Sequence, residues 1–298
     1  MIRIGIDPSF VEVAEWLNAT HSKCVLAATS TWVQIPPSPL KPLEAWSEQN
    51  SRSSRLDCQG LSEMTTAYIS YRSPSHGLLR DMSEDEFPTQ LRGWDDETLN
   101  LPSSGTHLGY VWQGVPVLKT PVGGFILQAG MYFCLPGDGI VWGKGQGIVV
   151  TRLGYQGVFS IGGPIESTGR LLYIDGATDS VLIHPPRCGD PVLNALYFKP
   201  GINQTPHTHS SLRVGMIVSG QGRCVIPEHE EIPLEPGQVF VIPANQLHSF
   251  RTIDNPMVVV AFHPDSGCGP TDEVHPMILK TTVNGVSASQ LEKIRTRA

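Results

Sequence analysis

The stretch that decides the fold is Gly201-Ile-Asn-Gln-Thr-Pro-His207-Thr-His209-Ser-Ser-Leu-Arg213, running on to Gly220 and completed by Gly237-Gln-Val-Phe-Val-Ile-Pro243-Ala-Asn245-Gln-Leu-His248. His207 and His209 are two apart, so on an extended chain both imidazoles project from one face. Two imidazoles side by side suit a first-row metal ion. A short strand, a Pro-containing turn and then His248 can carry a third imidazole to the same place. The sixteen residues 221–236 between the two segments fit a compact hairpin.

Outward from this stretch the chain keeps one texture. Short apolar runs broken by Gly and Pro recur at Gly109–Trp112, Gly124–Gln128, Met131–Leu135, Gly139–Trp142, Gly147–Thr151 and Gly157–Ile161. They resume at Leu171–Ile174, Ser180–Ile183, Val192–Phe198, Val214–Val218, Gly222–Ile226, Gln238–Ile242 and Met257–Phe262. This is a β-sandwich or barrel cadence. It predicts an all-β chain with two β-rich blocks, about 109–165 and 170–265, read as two barrel-like halves. A single barrel with added N-terminal strands is the competing layout. Residues 64–96 read as a polar arm with loops. The one helix signal is Ser287–Ile294, where Ser287 can cap and Leu291 and Ile294 share a face. Gly143, Gly145 and Gly147 lie between strands with no helix after them, so they read as a hairpin turn and not a phosphate loop.

The two segments resemble the cupin superfamily, whose pattern is G-x5-H-x-H-x3-E-x6-G, a spacer, and G-x5-P-x-G-x2-H-x3-N. Gly201, His207, His209 and Gly220 match the first motif; Gly237, Pro243 and His248 match the second. The resemblance implies a double-stranded β-helix, or jelly-roll barrel, with one divalent metal ion (Fe, Mn, Ni or Zn) on His207, His209 and His248. It covers about 75 residues. The chain departs from the pattern at three places: Arg213 stands at the ligand Glu, Asn245 at the turn Gly, and Thr252 at the terminal Asn. Asn tolerates the left-handed conformation Gly supplies. Arg213 removes a carboxylate ligand and adds a permanent cation. Facing inward, it is a candidate catalytic residue that anchors a carboxylate or enolate by a bidentate contact; facing outward, it is a surface ion pair. Gln204 and Asn245 are candidate polar groups around the ligands.

His263 and His275, near Asp265, Asp272 and Glu273, could line the barrel mouth but read first as surface or turn residues. His184 and His229 read as loop residues, and His107 has no assignable role. The domain reading is therefore 1–63 an extension, 64–168 an arm with a metal-free cupin-like half, and 169–298 the metal-binding cupin domain with a short C-terminal helix. The function this implies is a metal-dependent oxygenase, lyase or isomerase acting on a small organic acid or diketone-like compound. A small-molecule sensor is the alternative, and a metal-free structural barrel the third reading.

The 298 residues are 40% hydrophobic and 16% charged, with 30 Gly and 25 Pro and a net charge of −7. That excludes a fully disordered chain and, with no basic run, a nucleic-acid partner. No apolar stretch is long enough to cross a bilayer, and no signal peptide is visible, so the expected setting is the cytoplasm. A homodimer is expected by resemblance. Six cysteines occur without a C-x-x-C pair; Cys134 and Cys224, set in apolar strands, read as small buried hydrophobes.

Residues 13–40 resemble the translation of a bacterial serine tRNA gene. Thr20–Val25 can be encoded by ACG CAC TCG AAA TGC GTN, where ACGCA and TGCGT flank a seven-nucleotide loop with a serine anticodon. Trp32–Pro36 can be encoded by TGG GTT CAA ATC CCN, which contains the T-arm string GTTCAAATCC. This places the expected start at Met64, with 1–63 carrying no function. Genomic DNA with other codons at these positions overturns that expectation.

Overall fold

The computed structural model describes residues 68–227 and 231–296. The 1–63 extension with its tRNA-like segment, Met64, and His229 lie outside the described residues. Strands dominate, in two sandwich-like blocks.

In the first block a six-stranded antiparallel sheet runs Gly77–Met82, Thr89–Asp95, Gly145–Leu153, Gly105–Gly114, Tyr132–Pro136, Ser160–Gly162. A four-stranded sheet, Leu99–Leu101, Gly139–Trp142, Val117–Thr120 and Gly123–Ile126, belongs to the same block. Trp94, Val111, Leu118, Phe133, Val141 and Val149 form its core. In the second block a seven-stranded sheet runs Ile69–Tyr71, Val239–Ile242, Arg213–Gly220, Met257–His263, Val192–Phe198, Thr178–Ile183, Leu171–Leu172. It is accompanied by Ile232–Leu234, Gly222–Val225 and Ser249–Arg251. Phe198, Ile217, Cys224, Phe240, Phe250 and Val259 form the core there.

A third cluster joins the blocks. Leu108, Tyr110, Ile148 and Val150 of the first pack with Val214, Met216, Val241, Val260 and Phe262 of the second. Alternate residues of one strand thus serve two cores: Val149 faces its own block, while Ile148 and Val150 face the other. This explains why Val239–Ile242 is apolar at every position: both sheet faces are covered. Trp112 crosses the junction, donating its indole N–H to the Val218 carbonyl at 3.0 Å and lying against Gly237.

The blocks repeat a local device. Gly109 pairs with Phe133 on one side and Val149 on the other; Gly215 pairs with Phe240 and Ala261. In each, a Cβ on the glycine would fall 2.1 Å from the phenyl ring opposite. Gly215→Ala is therefore expected to destabilise the chain by about 1–3 kcal/mol, the usual cost of overpacking, read as a lower urea midpoint at unchanged slope.

Several sequence expectations change. The polar arm at 64–96 contains the strands Ile69–Tyr71, Gly77–Met82 and Thr89–Asp95. Thr89, Leu91 and Gly93 alternate with partly exposed Gln90 and Arg92, a half-buried strand pattern diluted by polar letters. Ile69–Tyr71 pairs with Val239–Val241, so this part of the arm joins the second block's sheet, whereas the reading of 64–168 grouped it with the first. Among the described residues the α-helix is Pro276–Lys280, where Pro occupies the first turn and the His275 side chain accepts from the Met277 and Ile278 amides. Ser287–Ile294 instead forms two 3-10 turns, Ala288–Gln290 and Glu292–Ile294, with Ser287 Oγ accepting from the Ser289 amide. Cys134 and Cys224 are buried, with thiols pushed up to about 12 by desolvation. Cys188 and Cys268 are exposed free thiols in loops.

His107 has a structural role. It is fully buried, its Nε2–H donates to the Pro102 carbonyl, and its Nδ1 faces the Thr151 hydroxyl, both at 2.8 Å. Burial lowers its pKa below the ordinary histidine value. Between that lowered value and about 6.5 the unfolded chain binds the extra proton and the folded one does not, so stability falls as pH drops below about 6.5. His107→Gln is expected to flatten the fall of the urea midpoint between pH 7 and 5 relative to the parent.

Candidate metal centre

His207 and His209 stand on the irregular segment between Val192–Phe198 and Arg213–Gly220, and His248 directly precedes Ser249–Arg251. Backbone bonds hold the two stretches together: the His207 amide donates to the His248 carbonyl at 2.9 Å and the His248 amide to the His207 carbonyl at 3.0 Å. The Asn245 amide donates to the His209 carbonyl at 2.7 Å. Asn245 sits at φ 60°, the left-handed turn where the superfamily pattern has Gly; its side chain is exposed and does not line the cavity. Gly220 and Gly237 also have positive φ, and a Cβ at Gly220 would meet the Pro256 carbonyl oxygen at 1.8 Å. Thr252 is buried; its Oγ1 accepts from the Ile202 amide at 3.0 Å and donates to the Lys199 carbonyl, pinning the start of the histidine-bearing segment.

The three rings converge. Their centroids are 5.0, 4.8 and 5.2 Å apart, and one ligand nitrogen from each lies within 4.8 Å of the others. His207 Nδ1 donates to the Thr205 carbonyl and His248 Nδ1 to the Gln246 carbonyl, each at 2.9 Å. A carbonyl only accepts, so both rings carry a proton on Nδ1, and Nε2 is the nitrogen each would offer to a metal. Desolvation, assisted by Arg213 and the neighbouring histidines, pushes the His209 pKa down to about 3. Desolvation likewise pushes His248 down to about 4, against the bond to Gln246. These rings are neutral at pH 7, the form a metal requires. Metal–nitrogen bonds are about 2.0–2.1 Å, so an ion held by all three would draw the nitrogens closer together. The donor chemistry therefore fits a divalent first-row metal.

These histidines open into a cavity of about 320 Å³, which Tyr173, Asp179, Asn194, Gln204, Arg213 and His263 also line. Its floor is apolar: Leu196, Phe240, Ile242, Phe250 and Ala261. That volume lies at the small end of ligand pockets. Gln204 is buried; its Oε1 accepts from the Phe250 amide at 3.2 Å, and its Nε2 has no partner. Arg213 lines the cavity and is also paired. Its Nη1 donates to Ser211 Oγ at 2.7 Å and to the Leu212 carbonyl at 2.9 Å, and it lies 3.9 Å from Asp265. Arg213 thus faces the cavity, and its ion pair with Asp265 is part-buried where the outward alternative expected a surface one. Its charge depresses the pKa of His209, His248 and His263, and the same field favours an anion in the cavity.

His263 lines the cavity, the alternative to its preferred reading as a surface or turn residue. It ends Met257–His263, where 257, 259, 261 and 263 fall on one face. Desolvation, with Arg213 adding, pushes it down to about 4. Period-two counting from Val259 could have found it. His275 caps the helix instead, and His184 is an exposed loop residue.

The family model for the cupin domain matches residues 196–263. No curated protein matches the chain. Among solved structures, a cupin 2 conserved barrel domain protein from Leptotrichia buccalis is 13% identical, covering 66% of this chain and 88% of that one at TM-score 0.45. Protein Ylba from E. coli is 18% identical over 68% of this chain and 84% of its own, at 0.46. Salicylate 1,2-dioxygenase from Pseudaminobacter salicylatoxidans is 12% identical over 60% and 71%, at 0.46. Among the described residues no helix is long and apolar enough to cross a membrane. Residues 196–263, which the cupin-domain model matches, contain all three convergent histidines, and strands make up most of the described residues.

Proposed function

We propose that His207, His209 and His248 hold one divalent first-row metal ion and that the chain is a metal-dependent enzyme, of oxygenase type or a related lyase or isomerase, acting on a small organic acid. The observation that carries this reading is the convergence of three imidazoles, two of them oriented by Nδ1–carbonyl bonds, on a small apolar-floored cavity beside a cation. A metal on three neutral ligands keeps its full positive charge and open positions, so it supplies Lewis acidity and a meeting point for two small ligands. The chain's own groups do the rest. Arg213 attracts and orients a carboxylate, Gln204 offers an unpaired N–H, and the Phe240, Phe250 and Ile242 floor excludes water.

The test is oxygen uptake and product analysis on the full chain, metal content measured in parallel, with a panel of small carboxylates. Turnover that stops on chelation supports the enzyme. Saturable binding without oxygen uptake or product replaces it with the sensor reading.

A further inference from the structure

The wall of the cavity formed by Asp179, Asn194 and His263 has an unmet hydrogen-bonding demand. Asn194 bridges the other two: its Nδ2 faces Asp179 Oδ2 at 2.6 Å and its Oδ1 faces His263 Nε2 at 3.1 Å. His263 Nδ1 lies 2.9 Å from the Asp265 carbonyl, which can only accept. Both neighbours of His263 then call for an N–H, which only the imidazolium has. Turning the Asn194 amide over gives the other consistent arrangement: Nδ2 donates to a neutral His263, and Oδ1 accepts from a protonated Asp179. The trio holds one proton in either case, on His263 or on Asp179.

Asp179 Oδ1 is an acceptor in both arrangements; it has no partner and almost no accessible surface, so a donor in the cavity reaches it through a rotation of the Asp179 side chain. An unmatched buried acceptor costs free energy until a donor reaches it. Asp179 lines the same cavity as Arg213 and the three histidines.

We infer that Asp179 Oδ1 receives a hydroxyl or amino N–H of the cavity's ligand, so that the ligand class is a small carboxylate carrying a hydrogen-bond donor, with Arg213 taking the carboxylate. The donor requirement rests on Asp179 and its two partners; the carboxylate rests on the function proposed above. Asp179 is then a specificity-determining residue, since a site built around an unpaired acceptor rejects the analogue lacking the donor.

The test is titration calorimetry of the full chain with matched probes: 3-hydroxybenzoate and 3-aminobenzoate against benzoate, and lactate against propionate. Metal content is measured in the same samples. The donor-bearing member of each set binds about tenfold tighter or more, as for a hydrogen bond to a charged group. Asp179→Leu brings the affinity ratio within each set to about one, whatever its effect on benzoate and propionate themselves; Asp179→Ala is the second variant should Leu fail to fold. Equal affinities in the parent, or a preference that survives both substitutions, overturn the proposal. Metal present with no probe bound overturns the ligand class and leaves the metal reading standing. Metal absent with the donor preference intact overturns the metal reading and leaves Asp179 in its role.

Discussion

Full-length chain is expected to purify with about one divalent first-row ion per chain, and the His207→Ala, His209→Ala double variant with none, as read by elemental mass spectrometry. The effect is large because both losses fall on one coordination sphere: the variant leaves a single imidazole, which does not hold a divalent ion at micromolar protein concentration. Folding is expected to survive. His207 and His209 are only partly buried, and the bridge to His248 is made by backbone groups that alanine keeps. A folded parent that stays empty after incubation with iron, manganese, nickel and zinc salts would sink the metal reading and leave a pocket-binding or structural barrel.

Arg213→Gln is expected to keep the metal and to weaken carboxylate binding by about 30- to 1,000-fold, the range for losing one charged partner of a desolvated pair. The metal is spared because Arg213 donates no ligand atom and its charge opposes a cation. The measurement pairs metal content with benzoate titration of the same preparations. Undiminished benzoate affinity would show that Arg213 serves only the Asp265 contact. The thermal midpoint separates this from collapse: Ser211 Oγ still donates to Asp265 after the substitution, so a modest shift is expected.

How much was legible from the sequence depended on whether the signal was local. Spacing alone put His207 and His209 on one face, and the glycines bounding each motif are at positive φ where turns demand them. The all-β class followed from short apolar runs punctuated by Gly and Pro. Thr89–Asp95 was missed because Gln90, Arg92 and Asp95 mask its alternation. The helix was misplaced because Pro276 and His275 start it through a local cap, whereas Ser287–Ile294 carries a helical spacing that yields only 3-10 turns.

His263, Asp179 and Asn194 escaped for a different reason. They lie on three strands, Met257–His263, Thr178–Ile183 and Val192–Phe198; Asn194 and His263 stand among apolar residues, and Asp179 sits between Thr178 and Ser180, where nothing local singles it out. Their partnership exists only through antiparallel pairing. The amino-acid sequence by itself determined the strand-rich class, the motif turns and the three-histidine set, because those depend on residues near one another or on a fixed spacing. The tertiary structure decided that the arm pairs with the second sheet, that Arg213 is both paired and cavity-lining, and that Asp179, Asn194 and His263 share a wall. Those facts depend on strand register, which brings together residues up to 84 positions apart and which no local pattern encodes.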